Sequence, residues 1–474
     1  MNNLDDRLRS VFPNESLFKS PEAYSVFSGY NLPSFIKDWV VKKFSDDEGT
    51  IVIEGVKSFL EEHIVQKGSK LKGAMIKESR EFTLLSRIIV EPDVSTGIFK
   101  FSIPDTDIKS NEGIIPRYVV NKNKEELLGG ETWGIVKLVY EPPEDNQRGH
   151  IEMIDFKPFQ PYEINLEYYR ENRKEFTLDE WLDVLVRSME YNPEGFESTQ
   201  QKLIFISRLL PFVESNLNMI ELAPKGTGKS YVFSNLSKYA WLVSGGKITR
   251  AQLFYNAANK QSGIITKYDL VTFDEIETMD FGDENELQGA LKNYLESGAF
   301  TISNHKGSST AGLMLLGNIQ LNEYKKPIYS NYFISLPEFF QSSALLDRFH
   351  GFIEGWKLPR IKENMKLKGY TLNVEYFSEI LHSLRTNPEF PNIVGNLLSV
   401  PKNADTRDTR AIKRICSGYL KLLFPHVTNP ADIVKEDFKE YCLMPAMQMR
   451  GIIRKQISLI DKEFSESLPE IDVV

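Results

Sequence analysis

The sequence predicts an α/β protein. Three observations carry that prediction. Residues from about 200 to 360 alternate short apolar strands with helices, residues from about 85 to 160 switch to a period of two, and both ends of the chain keep a helical period. The implied organisation is a helical N-terminal region (1–82), a β-rich domain (83–175), an α/β core (176–365) and a C-terminal helical part with a tail (366–474).

In the first region, Pro33 to Phe44 places apolar residues at helical spacing. A lysine-bearing stretch follows, with Lys67, Lys70, Lys72, Lys77 and Arg80. Its simplest reading is a solvated face, and its sharper one a phosphate-contacting strip. Gly97–Ile103, Trp133–Tyr140 and His150–Phe159 then read as strands, separated by turn-rich pieces such as Pro142-Pro143-Glu144-Asp145-Asn146. Several short strands so close together suggest a small barrel or sandwich. An OB-like barrel of the kind that binds nucleic acid is one option, and the sequence leaves the topology open.

Thr177-Leu178-Asp179-Glu180 reads as a capping box, after which Leu178, Trp181, Leu182, Leu185, Val186 and Met189 share one helical face as a core stripe. In the α/β core, Leu217–Leu222, Leu270–Phe273, Leu313–Leu316 and Tyr332–Leu336 are the predicted strands, with a helix over Ser230–Ala240. Residues from about 370 to 465 read as helical.

Composition narrows the functional classes. Net charge is −9, which argues against a surface coated for nucleic acid, although a local basic channel is compatible with it. Two cysteines, Cys416 and Cys442, are too few for a disulfide framework and form no C-x-x-C pair. The start lacks an apolar core of signal-peptide length, and no stretch is apolar enough to span a membrane. A reducing, cytoplasmic setting without membrane attachment is expected.

The strongest motif is Ala223-Pro224-Lys225-Gly226-Thr227-Gly228-Lys229-Ser230. It matches the phosphate-loop pattern except at its first position, where Ala223 replaces glycine. Gly226 and Gly228 can still turn successive N–H groups toward phosphate oxygens. Pro224, Lys225, Gly226, Thr227, Gly228, Lys229, Ser230 and Tyr231 are therefore the expected nucleotide-binding residues. Lys229 would reach the β- and γ-phosphates of ATP, and Ser230 would hold Mg²⁺. The apolar strand Leu270–Phe273 ends in Asp274-Glu275. Alone, two acids there could be a solvated pair. After a phosphate loop, Asp274 suits Mg²⁺ and Glu275 suits orientation of the attacking water. Asn318 closes the next predicted strand, where a polar side chain can hold that water or sense the γ-phosphate. Arg348, in Leu345-Leu346-Asp347-Arg348-Phe349, suits a trans-acting finger at a neighbour's phosphate. Arg410 or Arg407, opening a C-terminal helix, could contact phosphate in cis.

With these features in order, the chain resembles AAA+ ATPases and, among them, the replicative helicase (MCM) branch. Asp274-Glu275-Ile276-Glu277-Thr278-Met279 is similar to that branch's D-E-F-D-K-M stretch, and Leu345–Phe349 to its L-L-S-R-F motif. The resemblance implies an AAA+ core with a C-terminal helical lid. It also marks Gly298–Gly307 as the hairpin those helicases push into the pore, with His305 and Lys306 at its tip to meet DNA. Across nearly the whole chain the sequence resembles the Lon-like BrxL family of bacterial BREX phage-defence systems. That likeness includes Asn31–Trp39, the phosphate loop and Tyr441-Cys442-Leu443-Met444-Pro445-Ala446. It implies double-stranded DNA held in a homo-oligomeric ring, a hexamer or paired hexamers, and a role beside other phage-defence proteins. Longer members carry a C-terminal Lon-protease-like domain. This chain reaches Val474 soon after its last helical segment, so peptidase activity is not expected.

The reading is an ATP-driven DNA ring motor. The same motifs suit a nucleotide-switched DNA clamp that recruits without translocating. A protein unfoldase serving a separate protease is the third option, although the His305-Lys306 hairpin suits phosphate better than polypeptide.

Overall fold

The computed structural model describes residues 3–46, 51–65, 70–78, 81–93, 96–104, 106–128, 131–144, 148–159, 164–258, 260–282 and 284–474. Lys67 and Arg80 of the lysine-bearing stretch, and Asp145 and Asn146 of the turn-rich piece, lie outside these residues. The chain divides into two units, one of residues 19–163 and one of residues 1–18 with 164–474.

In the smaller unit, helices Ser34–Lys43, Ile53–His63 and Leu71–Glu78 precede a closed barrel of five strands. These are β1 (Phe82–Asp93), β2 (Ile98–Ser102), β3 (Gly113–Ile115), β4 (Glu131–Glu141) and β5 (His150–Pro158). Strand order is β1-β2-β3-β5-β4, returning to β1. The barrel thus decides between the two topologies left open above. Alternation drives one set of side chains inward, among them Leu84, Ile88, Phe101, Val136, Leu138, Met153 and Phe156. Two glycines let the wall close: a Cβ at Gly113 would stand 2.4 Å from the Phe101 carbonyl oxygen, and one at Gly134 2.3 Å from the Phe156 ring. Of the lysine stretch, Lys72 is ion-paired with Glu112 at 2.9 Å, and Lys70 and Lys77 are exposed.

The larger unit is built on a five-stranded parallel sheet of β6 (Met219–Ala223), β7 (Ala240–Ser244), β8 (Leu270–Asp274), β11 (Gly312–Asn318) and β12 (Gly351–Glu354). Between β8 and β11 a hairpin of β9 (Ala299–Ile302) and β10 (His305–Ser308) is inserted. Sheet order is β12-β6-β11-β8-β7. Strands β6, β8 and β11 are buried on both faces apart from the half-buried Asn318, which explains their near-continuous apolar runs. The predicted capping box is present, with Thr177 and Glu180 satisfying each other's backbone at the start of helix Leu178–Ser188. Two predicted elements are corrected. Tyr332–Ser335 is a 3-10 turn rather than a strand, and the edge strand is Gly351–Glu354. The helix after the phosphate loop is Lys229–Asn235, and Ala240 already belongs to β7. The C-terminal part is helical, with Val374–Arg385, Glu389–Leu397, Thr406–Leu423 and Met444–Ile460 as its longer helices.

Candidate nucleotide site

Strand β6 delivers the phosphate loop at its C-terminal end. Ala223 fits at the loop's first position because glycine stands across the strand pair. A Cβ on Gly355 would lie 2.4 Å from the Ala223 Cβ. Gly226 (φ +86°) and Gly228 (φ +74°) both adopt the left-handed backbone. Around Gly226 the position of a Cβ meets nothing within 4 Å, whereas at Gly228 it would press the Tyr191 hydroxyl at 2.5 Å. Burial pushes that Tyr191 phenol up to about 12, so it stays neutral against the loop.

Four of the loop's carbonyl groups are taken by the protein. Arg208 Nη1 donates to the Thr227 carbonyl at 3.0 Å and Ile361 N to that of Gly226 at 2.8 Å. The Thr227 hydroxyl donates to the Pro224 carbonyl at 3.4 Å, and Ile319 N to that of Ala223 at 3.4 Å. Holding the Pro224, Gly226 and Thr227 carbonyls turns the N–H groups of Lys225, Thr227 and Gly228 to the opposite side of each peptide plane, the arrangement an anion needs, whereas the Ala223 carbonyl precedes Pro224, which has no N–H. Lys225 is exposed beside them, Ser230 is half-buried, and the Tyr231 hydroxyl bonds Glu190.

The sheet order places the next groups. Because β11 lies between β6 and β8, Asn318 faces Ala223 in register. Lys229 Nζ donates to Asn318 Oδ1 at 2.9 Å, and Asn318 Nδ2 in turn donates to Glu277. Asp274 closes β8, almost fully buried, and accepts from Glu275 N at 2.9 Å. Glu275 is exposed and held at φ +49°, a conformation that costs a non-glycine residue ~1–3 kcal/mol and marks functional sites. Lys229, Asn318, Ala223 and Asp274 thus converge at the C-terminal ends of the three inner strands.

Arg348 and Arg410 stand elsewhere. Both meet Glu296, at 3.3 Å and 3.2 Å, and Arg407 joins them on the same carboxylate at 3.0 Å. Asp347 pairs with Arg407 at 2.9 Å and with the buried Arg450 at 2.6 Å. Burial and the neighbouring Arg407 charge lower the Arg348 pKa. This cluster lies at the Met219 end of β6, since Arg414 bonds the Asn216 carbonyl and His350 the Asn218 amide. A five-residue strand puts that end roughly 15 Å from the loop. The in-cis phosphate contact expected of Arg410 or Arg407 is therefore corrected, because both lie at the opposite, N-terminal end of the strands.

The hairpin is corrected in detail as well. Its two-residue turn is Ser303-Asn304, and Ile302 and Thr301 pair with His305 and Lys306. His305 is the first ladder residue rather than the tip, and its ring stacks on Tyr255 at 3.7 Å. Lys306 is exposed one position further down.

Comparison with known proteins supplies the family. Residues 151–470 match the family model described as "Lon-like protease BrxL-like, ATPase domain", and residues 10–140 that described as "BREX system Lon protease-like protein BrxL N-terminal". The chain belongs to the BrxL family. A "Lon-like protease BrxL" of Escherichia coli is 30% identical over 90% of this chain and 61% of its own length. One from Bacillus cereus is 28% identical over 96% of this chain and 67% of its own length. This BrxL-family chain therefore spans about two thirds of those relatives or less. An uncharacterised protein of a Sulfolobus islandicus rod-shaped virus is 26% identical over 42% of the chain. Among the described residues, no helix is long and apolar enough to cross a membrane.

Sequence reasoning missed several residues of this BrxL-family site. Glu277 lies in the acidic stretch already singled out, and only the Asn318 contact shows its use. Arg208 and Glu221 are fully buried and paired. Their signal was a charge inside each of two apolar runs, Phe205–Val213 and Met219–Ala223.

Proposed function

We propose that this chain is an ATP-hydrolysing AAA+ subunit that assembles into a DNA-encircling homo-oligomeric ring and acts in phage defence in the cytoplasm. The observation that carries the reading is the contact between Lys229 and Asn318 beside Asp274 and Glu275. In this reading Lys229 would be the phosphate-binding cation, Asn318 the γ-phosphate sensor, and Asp274 with Glu275 the hydrolytic acid pair, all at the C-terminal ends of neighbouring strands. The residues fit nucleotide: the space beside the Gly226 Cα is open, and Lys229 stands next to the loop. Lys229 would bind the β- and γ-phosphates, and Glu275 would orient and polarise water. Ser230 and Asp274 would hold Mg²⁺, which neutralises charge developing on the phosphoryl oxygens. Asn318 would hold the lytic water or the γ-phosphate.

Arg348 and Arg410, at the far end of the strands, would serve a neighbouring subunit. The helices after residue 366 would act as the lid. The closed five-stranded barrel would serve as an OB-like scaffold for nucleic acid, and Lys306 on the hairpin suits a phosphate backbone inside the ring.

ATP hydrolysis measured with and without duplex DNA, together with electron microscopy of the protein with DNA and nucleotide, tests the reading. Hydrolysis stimulated by DNA, in rings with DNA in the pore, is expected. Lys229→Ala should abolish nucleotide binding, and Glu275→Gln should keep binding and block turnover. Slow, DNA-indifferent hydrolysis would instead favour a recruiting clamp. Unfolding of a tagged protein without DNA affinity would favour an unfoldase.

A further inference from the structure

We propose that Arg208 and Glu221 are a positioning pair that sets the shape of the phosphate loop without touching nucleotide. The inference rests on the nucleotide reading above. Arg208 lies in a 3-10 turn, Ser207–Leu209, packed over the Phe205 ring at 5.1 Å. Its guanidinium forks onto Glu221, with Nε at 3.0 Å from one carboxylate oxygen and Nη2 at 2.5 Å from the other. Both side chains are 0% exposed. The remaining nitrogen, Nη1, donates to the Thr227 carbonyl at 3.0 Å.

Two physical arguments make this more than a core contact. First, a fully buried ion pair is weak support for stability, because well-packed apolar residues of the same volume often do as well or better. What an apolar pair cannot supply is the third bond, the one to Thr227. Second, Thr227 sits between the two left-handed glycines, Gly226 and Gly228, which leave the loop backbone freest to rotate. The peptide group is planar and trans, so its carbonyl and N–H point in opposite directions. Fixing the Thr227 carbonyl on Arg208 therefore fixes the Gly228 N–H facing away from Arg208. That N–H belongs to the run of amides that would receive phosphate. Glu221 in turn holds Arg208 in place, and it has room to do so beside a glycine: a Cβ on Gly355 would stand 2.8 Å from its Oε1.

The test replaces the ion pair by an apolar one, Arg208→Met with Glu221→Leu, in the full chain. It measures binding of a fluorescent ADP analogue, the KM and kcat of ATP hydrolysis, and the melting temperature. The double variant is expected to melt within a few degrees of the parent. Its KM and nucleotide Kd should rise about tenfold to a hundredfold, the effect of losing one charge-assisted bond to the loop, with kcat kept within about threefold. Arg208→Lys keeps a charge beside Glu221 but cannot fork onto the carboxylate and reach Thr227 as well. It should show the same split, and it decides the matter if the double variant does not fold. Parent-like affinity in whichever variant folds overturns the positioning role. A parent that binds no nucleotide, as Lys229→Ala should, overturns the nucleotide reading along with it.

Discussion

Gly355→Ala should disturb this protein through a single methyl group, and Ala223→Gly should relieve much of the damage. The added Cβ would stand 2.4 Å from the Ala223 Cβ, 2.8 Å from Glu221 Oε1 and 3.1 Å from the Leu222 carbonyl oxygen. Carbon atoms in comfortable contact lie about 3.5–4.0 Å apart, so the strands would have to part by about 1 Å. Neither methyl carbon can swing aside, since each is fixed to its backbone, and β6 and β12 are held in register up to Leu222 and Glu354. Overpacking of this kind costs about 1–3 kcal/mol, and the upper end applies where backbone must move. At about 2 °C per kcal/mol for a chain of this size, the melting temperature should fall by about 6 °C. Because Ala223 opens the phosphate loop, the KM for ATP should rise with it. Ala223→Gly alone removes the opposing carbon at a cost of about 0.5–1 kcal/mol for a glycine in a strand. Combined, the two changes should couple favourably by about 1–2 kcal/mol, leaving the Glu221 and Leu222 carbonyl contacts unrelieved. Thermal melts and ATPase assays on the four proteins of this cycle check it. Melting shifts that simply add, within about 0.5 kcal/mol, would show that the two residues do not meet as described and refute the account of Ala223.

Further expectations concern the site and its surroundings. Asn318→Ala strips Lys229 and Glu277 of a shared partner and should lower kcat about a hundredfold with little change in KM, read from steady-state hydrolysis. Arg348→Ala should hydrolyse poorly while melting near the parent. If Arg348 acts on a neighbour, mixing it with Glu275→Gln should restore hydrolysis at about a quarter of the interfaces, whereas a mixture as inactive as its parts would assign the residue to its own subunit. Glu375 is buried, and desolvation lifts its carboxyl to about 7 despite the opposing charge of Lys238. The folded chain therefore holds a proton that the unfolded chain releases near pH 4.5, so stability is lost as pH rises from about 4.5 to about 7. Glu375→Gln should remove that decline, melting like the parent at pH 5 and higher than it at pH 8. Lys238 keeps Glu379 at 2.7 Å in either case.

What is legible in the sequence is what lies adjacent along the chain. The phosphate loop, the Asp274-Glu275 pair and the Thr177 capping box are each written in a few consecutive residues, and each sits on the predicted element. Long-range pairing is harder to read. Tyr332–Leu336 is as apolar as a buried strand, yet it turns as a 3-10 segment with the Tyr332 amide held by Gln456 at 2.6 Å. The true edge strand has only four residues and begins with glycine. Ala240–Ser244 is partly exposed and short, and it blurs into the preceding helix. Residues near the N-terminus pack in the larger unit, where Asp5 accepts from Arg187 at 2.5 Å and from Tyr370 N at 3.0 Å. No local pattern can announce contacts more than 180 residues apart. The direction of Arg410 escapes the sequence for the same reason: its helix is legible, but the end of the strands that the helix meets is not.

The two ends of the strands in the larger unit's sheet have a consequence for assembly. The phosphate loop stands at one end, and three arginines gathered on a single carboxylate stand at the other. A twofold pair can bring each loop to the other copy's arginines, but it uses both at once and stops at two copies. The ring proposed above needs a head-to-tail repeat, in which each loop would meet the arginines of the next copy, and such a repeat has no intrinsic end. Whether it closes depends on the rotation per step alone. A small change in that rotation, far from either end, would turn a closed circle into an open helical filament with every pairwise contact intact.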